Sequence, residues 1–192
     1  MKRFGFETKL EENLAMGLGA SALTLHELVR AYTVFPTLGD RRDPYFVSEV
    51  RDRNGTVLEQ TGAGALTEEV MDANTAYVMV ELMHSVVSSG TATRALQLKK
   101  KVAGKTGTTN DYRDAWFVGY TPEIITAVWV GLDDFKGMGK GQYGGEVALP
   151  IWMDYMRPTL EKYPPSKYEE PKDIVKVRID SKTGLLAPEG AE

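Results

Sequence analysis

The sequence predicts an α/β fold, and three observations carry that reading. Apolar residues recur at helical spacing through TLHELVRAYTVF, residues 24–35, and form the body of a second run, AYVMVELMHSVV, at 76–87. Three later segments have strand character: KKKVAGKTG at 99–107, AWFVGY at 115–120 and EIITAVWVGLDD at 123–134. Gly119-Tyr120-Thr121-Pro122 joins the last two, and a connection that short makes them antiparallel neighbours. The chain has 192 residues, 42% of them hydrophobic and 26% charged, which suits one domain or most of one.

Each element follows from local chemistry. Residues 1–20 contain FGF and NLAMGLGA, apolar and Gly-rich without a period, and read as a segment that packs on something. The first helix places Leu25, Leu28, Val29, Tyr32 and Phe35 on one side, with Ser21 or Thr24 as cap and Pro36 and Gly39 as stops. YFVSEVRDRNGTVLEQT, with Val47, Val50 and Val57 flanking Asn54-Gly55, reads as a β-hairpin. Asn54-Gly55-Thr56 also spells a glycosylation sequon, but the turn accounts for it first. Thr67, with Glu69 and Val70 close by, opens the second helix, and Ser88-Ser89-Gly90 ends it. Gly90-Thr91-Ala92 is a small-residue turn, and Lys99-Lys100-Lys101 a solvated strand edge. Residues 137–145 form a Gly-rich loop, and EVALPIWMDYMRPTL a closing helix with Pro150 in its first turn. Residues 1–163 thus hold the compact part. Residues 164–192 are a Pro-rich linker followed by one strand, IVKVRID, and a turn at SKTG.

Composition removes several functions. A net charge of −4 gives no electrostatic reason for nucleic-acid binding. Cysteine is absent, so disulfides, thiolate metal sites and a thiol nucleophile are absent too. No apolar run approaches the roughly 18 residues of a membrane span, and MKRFGFETKLEE lacks the apolar core of a signal peptide. His26-Glu27-Leu28-Val29-Arg30 begins like a zinc motif but carries Arg30 where the second ligand belongs, and His84 is the one other histidine. No G-x-S-x-G elbow is present to build a serine triad. Met79, Met83 and the aromatics of AWFVGY read as core.

The stretch AGKTGTTNDYRDAWFVGY, 103–120, carries the chemistry. Gly104-Lys105-Thr106 matches the end of a phosphate-binding loop, but Lys99 occupies the place of its first glycine, and a strand follows rather than a helix. Lys105 with the hydroxyls of Thr106 and Thr108 can instead hold a carboxylate by charge-assisted hydrogen bonds. Gly107 lets an extended peptide lie close to the backbone, and a strand edge can pair with it. On the residues alone, a structural strand with an exposed lysine and a Gly-Thr bend is an equal reading.

Longer similarity separates the two. Lys105-Thr106-Gly107 is a motif of penicillin-binding proteins and class A β-lactamases. VAGKTGTTNDYRDAWFVGYTPEIITAVWVGLDD, MGLGASALTLHELVRAYTVFPTLGDRRDPYFVSEVRDRNGTVLE and the Gly90-Thr91-Ala92 turn resemble the transpeptidase domain of class A, bifunctional, penicillin-binding proteins over about residues 4–160. The resemblance implies an antiparallel sheet covered by helices on both faces, of the transpeptidase/β-lactamase type. It implies acyl transfer: a serine attacks the penultimate D-Ala of a peptidoglycan stem peptide, D-Ala leaves, and a neighbouring amine takes the acyl group. β-Lactams acylate the same serine. Lys105 would serve proton traffic and electrostatics, Thr106 and Thr108 would bind the substrate carboxylate, Gly107 would allow its approach, and the Thr108 N–H would be one arm of the oxyanion hole.

The same family needs Ser-x-x-Lys and Ser-x-Asn, and none of the serines at 21, 48, 85, 88, 89, 166 and 181 stands in either spacing. The expectation is an incomplete fragment: the C-terminal part of the domain, without the nucleophile, partnered by the missing N-terminal part. The whole would act at the outer face of a bacterial cytoplasmic membrane, anchored by an upstream segment. This segment itself would make no membrane contact and need no metal or organic cofactor. The alternative is a related non-catalytic module that binds peptides or proteins. Ser181-Lys182-Thr183-Gly184 repeats the motif letters without the threonine pair or aromatic strand, and is expected to be a turn outside the site.

Overall fold

The computed structural model describes residues 2–10, 13–19, 21–61, 67–180 and 182–187. Helix α1 spans Leu25–Tyr32 and opens on a capping box. Thr24 Oγ1 accepts the Glu27 N–H at 3.1 Å, and Glu27 Oε2 accepts the Thr24 N–H at 3.1 Å. The Glu27 carboxylate also receives the Glu7 N–H, the Thr8 N–H and the Thr8 hydroxyl, at 3.0, 2.7 and 2.9 Å. Arg30 reinforces this clamp, donating to Gly5 O and pairing with Glu7 and Asp43. The start of the chain is therefore tied to α1 through residues 5–8. The apolar stretch 13–19 forms a 3-10 turn that leaves Leu14 in solvent.

Strands β1 (Asp40–Arg42), β2 (Glu49–Arg51), β3 (Val57–Gln60) and β4 (Thr67–Glu69) make two small antiparallel pairs, β1 with β4 and β2 with β3. The β2–β3 hairpin turns as the Asn54-Gly55 signal predicts. Gly55 takes φ +85°, and the Asp52 carboxylate accepts the N–H groups of Asn54 and Thr56. Thr67 does not open a helix. It pairs with Arg42, and Val70 donates to Gly39 O at 2.9 Å. Helix α2 starts later, at Ala73, and runs to Ser88, because Asp72 caps it by accepting the Thr75 N–H.

The main sheet has the order β5-β6-β7, with β5 at Ala103–Thr108, β6 at Asp114–Tyr120 and β7 at Ile125–Gly131. All pairs are antiparallel; Lys105 faces Val118, Thr106 faces Phe117 and Phe117 faces Val128. Lys99–Lys101 lie outside the strand. Lys99 caps a 3-10 turn at φ 54°, and Lys101 pairs with Glu81 at 2.9 Å. Helix α3, Ala148–Lys162, accepts Pro150 in its first turn and carries Pro158 inside. Burial of Trp152, Met153, Met156 and Leu160, each worth roughly 2 kcal/mol, outweighs that interior proline.

Helices cover both sheet faces. On one, α1 packs on β7 and α2 on β5, and Tyr120 is buried among Val80, Met83 and Ala103 with Phe35 stacked 6.3 Å away. On the other, Trp152 of α3 meets Phe117 edge-on at 4.9 Å. Gly119 makes room for it, since a Cβ there would lie 2.5 Å from Trp152 Cζ2. Residues after α3 fold back: Ser166 N–H donates to Glu123, and Tyr168 packs against the Tyr120 cluster. IVKVRID does not form the expected strand. Val175, Val177 and Ile179 stay exposed, and only an isolated Ile179–Leu186 bridge forms. Lys182, Thr183 and Gly184 make a turn on the Asp180 carboxylate; Ser181 lies outside the described residues.

The clamp gives a pH prediction. N–H donors from Thr8 and then Thr24 lower the Glu27 carboxyl from 4.5 to about 2. A depressed folded pKa stabilises the fold fully above pH 4.5, and that contribution is lost as pH falls towards 2. Glu27→Ala should cost on the order of 2 kcal/mol at neutral pH by leaving donors unmet. Melting temperatures of wild type and Glu27→Gln should converge as pH falls from about 5 to about 2; parallel curves would rule the clamp out.

Candidate active site

Strand β5 leaves the core and ends in solvent. Ala103 and Gly104 are buried, Lys105 and Thr108 are exposed, and Thr106 and Gly107 lie between. Gly104 has to be glycine, because a Cβ would sit 2.7 Å from both Phe117 Cζ and Val118 O. Among the strands described, β5 pairs with β6 alone, so its other edge is open.

The register decides what that edge presents. Thr109 N–H donates to Asp114 O at 3.1 Å, and the Asp114 N–H returns to Thr109 Oγ1 at 2.8 Å. Antiparallel pairing alternates, so the N–H and C=O of Thr108 and of Thr106 point away from β6. The Thr106 carbonyl agrees with this, since it accepts the Lys105 ammonium at 2.8 Å. Thr106 and Thr108 lie on the sheet face of Phe117 and Ala115, whereas Lys105 lies on that of Val118.

Both hydroxyls have partners from other elements. Thr106 Oγ1 is 2.7 Å from Thr91 Oγ1, in the turn after α2. Thr108 Oγ1 accepts the Gly144 N–H at 3.1 Å, from the loop before α3. That loop lies directly on the strand. A Cβ on Gly144 would come within 2.7 Å of Gly107 O, and one on Gly145 within 2.8 Å of Thr91 O. The end of β5 is fixed as well: the Asp114 carboxylate, buried, accepts Trp129 Nε1 at 2.7 Å, and Met138 N–H donates to Tyr112 O.

The four sequence-predicted residues, Lys105, Thr106, Gly107 and Thr108, thus share one open edge. Sequence reasoning marked Thr91 and Gly144 only as a turn and a loop; the small residues beside each, Gly90-Thr91-Ala92 and Gly144-Gly145, were the available signal. Among the described residues no group of three His, Asp or Glu could hold a metal. A cleft of about 430 Å³ lies over the Glu27 clamp and shares no residue with β5, whose candidate site is an exposed strand edge. Such an edge can pair with an extended peptide and meet an anion with a cation and two hydroxyls.

A family model described as the penicillin binding protein transpeptidase domain matches residues 2–157. Penicillin-binding protein 1A of Aquifex aeolicus (strain VF5) is 42% identical over 203 residues, covering 100% of this chain and 28% of the relative. That of Pseudomonas aeruginosa is 34% identical over 238 residues, covering 98% and 29%. The chain therefore spans less than a third of these relatives. The crystal structure of penicillin-binding protein 1A from Haemophilus influenzae superposes with a TM-score of 0.89 at 29% identity, over 100% of this chain and 34% of that one. PonA1 from Mycobacterium tuberculosis, solved in complex with penicillin V, superposes at 0.72 over 90% of this chain and 51% of that one; at 22% identity it attests the fold alone.

The loop contact can be broken by one methyl group. In Gly144→Ala the new Cβ meets backbone of Gly107 and Trp116, which cannot rotate away. The loop should lift, costing about 1–3 kcal/mol, and the Gly144 amide should exchange faster. Gly17→Ala, with nothing within 4 Å, is the control and should be silent. Equal melting temperatures for the two variants would refute the contact.

Proposed function

This chain belongs to the family of penicillin-binding protein transpeptidase domains, and we propose that it supplies the substrate-binding strand of a peptidoglycan D,D-transpeptidase. The observation that carries the reading is the β5 edge, with the Thr108 amide outward and the Thr106 and Thr108 hydroxyls beside Lys105. A stem peptide lies along the edge as an added strand. Its terminal carboxylate meets the two hydroxyls and the field of the Lys105 ammonium.

The reaction is two acyl transfers. A serine hydroxyl adds to the penultimate D-Ala carbonyl, and the oxygen of that carbonyl becomes an anion. The Thr108 N–H stabilises this charge as it develops, as one of two donors; removing one such donor typically costs about 10²–10³ in rate. The terminal D-Ala leaves with the proton the serine gave up, and an amine of a second stem then displaces the serine. Lys105 assists by holding positive charge beside the carboxylate and by proton exchange near the serine. β-Lactams enter by the same first step.

No serine of this sequence stands in Ser-x-x-Lys spacing. The nucleophile and the second serine motif therefore come from a part of the domain outside residues 1–192, on a polypeptide held at the outer face of the cytoplasmic membrane. Among the described residues no helix is long and apolar enough to cross a membrane. The missing serine also favours one other reading, a peptide-binding module without chemistry.

Fluorescent penicillin followed by intact-protein mass spectrometry separates the readings. Residues 1–192 alone should form no adduct. The full polypeptide should label on a serine outside this segment, and Lys105→Ala should slow labelling by about 10²-fold. An adduct on any of the seven serines here would refute the assignment. An unlabelled full polypeptide would favour the binding module.

A further inference from the structure

Both hydroxyls proposed to hold the substrate carboxylate already have a hydrogen-bond partner of their own. For Thr108 the direction is fixed. The Gly144 amide can only donate, so Thr108 Oγ1 accepts and its proton points elsewhere. For Thr106 the direction is open, since either hydroxyl of the 2.7 Å Thr91–Thr106 pair can donate. A carboxylate only accepts. When it takes the Thr106 proton, Thr91 must be the donor to Thr106 Oγ1.

We propose that Thr91 is a positioning residue of the carboxylate site: it donates to Thr106 Oγ1 and turns the Thr106 hydroxyl proton towards the ligand. This rests on the transpeptidase reading above. The geometry that supports it is specific to Thr91. Gly90 sits so close to α2 that a Cβ would lie 2.8 Å from Val86 Cα, and the Ala92 N–H donates to Val86 O. Ala92 is buried, and Gly145 closes over Thr91 O from the far side. The turn is thus held at both ends while the Thr91 side chain itself stays exposed at the open edge. Nothing in the folding of this turn requires a hydroxyl. Valine would fill the same space, and its loss of function would be confined to the direction of the Thr106 proton.

The test uses the full polypeptide that joins this segment to its serine. Second-order acylation rates are measured with a penicillin and with its decarboxy analogue, which keeps the ring but has no carboxyl acceptor. Thr91→Val should lower the penicillin rate roughly fivefold to tenfold, the worth of about one hydrogen bond. It should leave the decarboxy rate and the melting temperature unchanged, and Thr91→Ser should restore the penicillin rate. Equal losses with both ligands, no loss with either, or failure of serine to rescue would overturn the assignment of Thr91. A wild-type protein that is not acylated would overturn the transpeptidase reading itself, and this inference with it.

Discussion

Among the described residues, strand β5 uses only one of its edges for sheet pairing. A strand end with outward N–H and C=O groups normally frays or recruits a second chain. Here the rigidity comes from the faces. The register sets Thr106 against Phe117, and Phe117 against Trp152 of α3. On the opposite face α2 packs on β5 where Ala103 enters the core. The open edge is available for pairing because nothing about its order depends on pairing.

Glycine is what lets these faces come close enough. Gly104 and Gly119 face each other across β5 and β6; Gly104 gives space to Phe117 of β6, and Gly119 to Phe117 and to Trp152 of α3. Gly144 does the same at the strand end, where its backbone, not a side chain, supplies the contact. An amide brought that near to Gly107 can reach the Thr108 hydroxyl. A side chain in its place would carry its own conformational freedom into the site, and a backbone donor does not. The candidate site is built largely from main-chain geometry.

Much of this was legible beforehand, for physical reasons that differ by element. The Thr24 cap and the Asn54-Gly55 turn are local chemistry; the β2–β3 hairpin formed as read, and α1 opened at Thr24 but ended at Tyr32, short of Phe35. The three main strands were legible from apolar runs bounded by glycine. Thr67 was misread because helix propensity nearby could not reveal its partner, Arg42 of β1, which lies 25 residues earlier and is brought to it only by the fold. IVKVRID failed in the opposite sense. Its alternation is that of a strand, but among the described residues it meets no strand to pair with beyond one bridge. The β5 residues of the candidate site were marked by family resemblance, whereas Thr91 and Gly144 were not, because each reaches β5 only through a contact from a distant segment.

The two contacts behind the hydroxyls also tie the site to the core in a way that no single residue shows. Gly144 lies four residues before the start of α3, and its carbonyl accepts the N–H groups of Ala148 and Leu149 in the first turn. Thr91 follows α2 through Ser89 and Gly90, and Ala92 joins the cluster of Trp152 and Phe117. The donor to Thr108 is therefore placed by α3, and the partner of Thr106 by the end of α2. Both helices abut the same buried cluster, in which Val87 of α2 and Leu149 of α3 each take part. A shift of either helix against the sheet moves one hydroxyl relative to the other. Packing in this core is thus also alignment of the open edge.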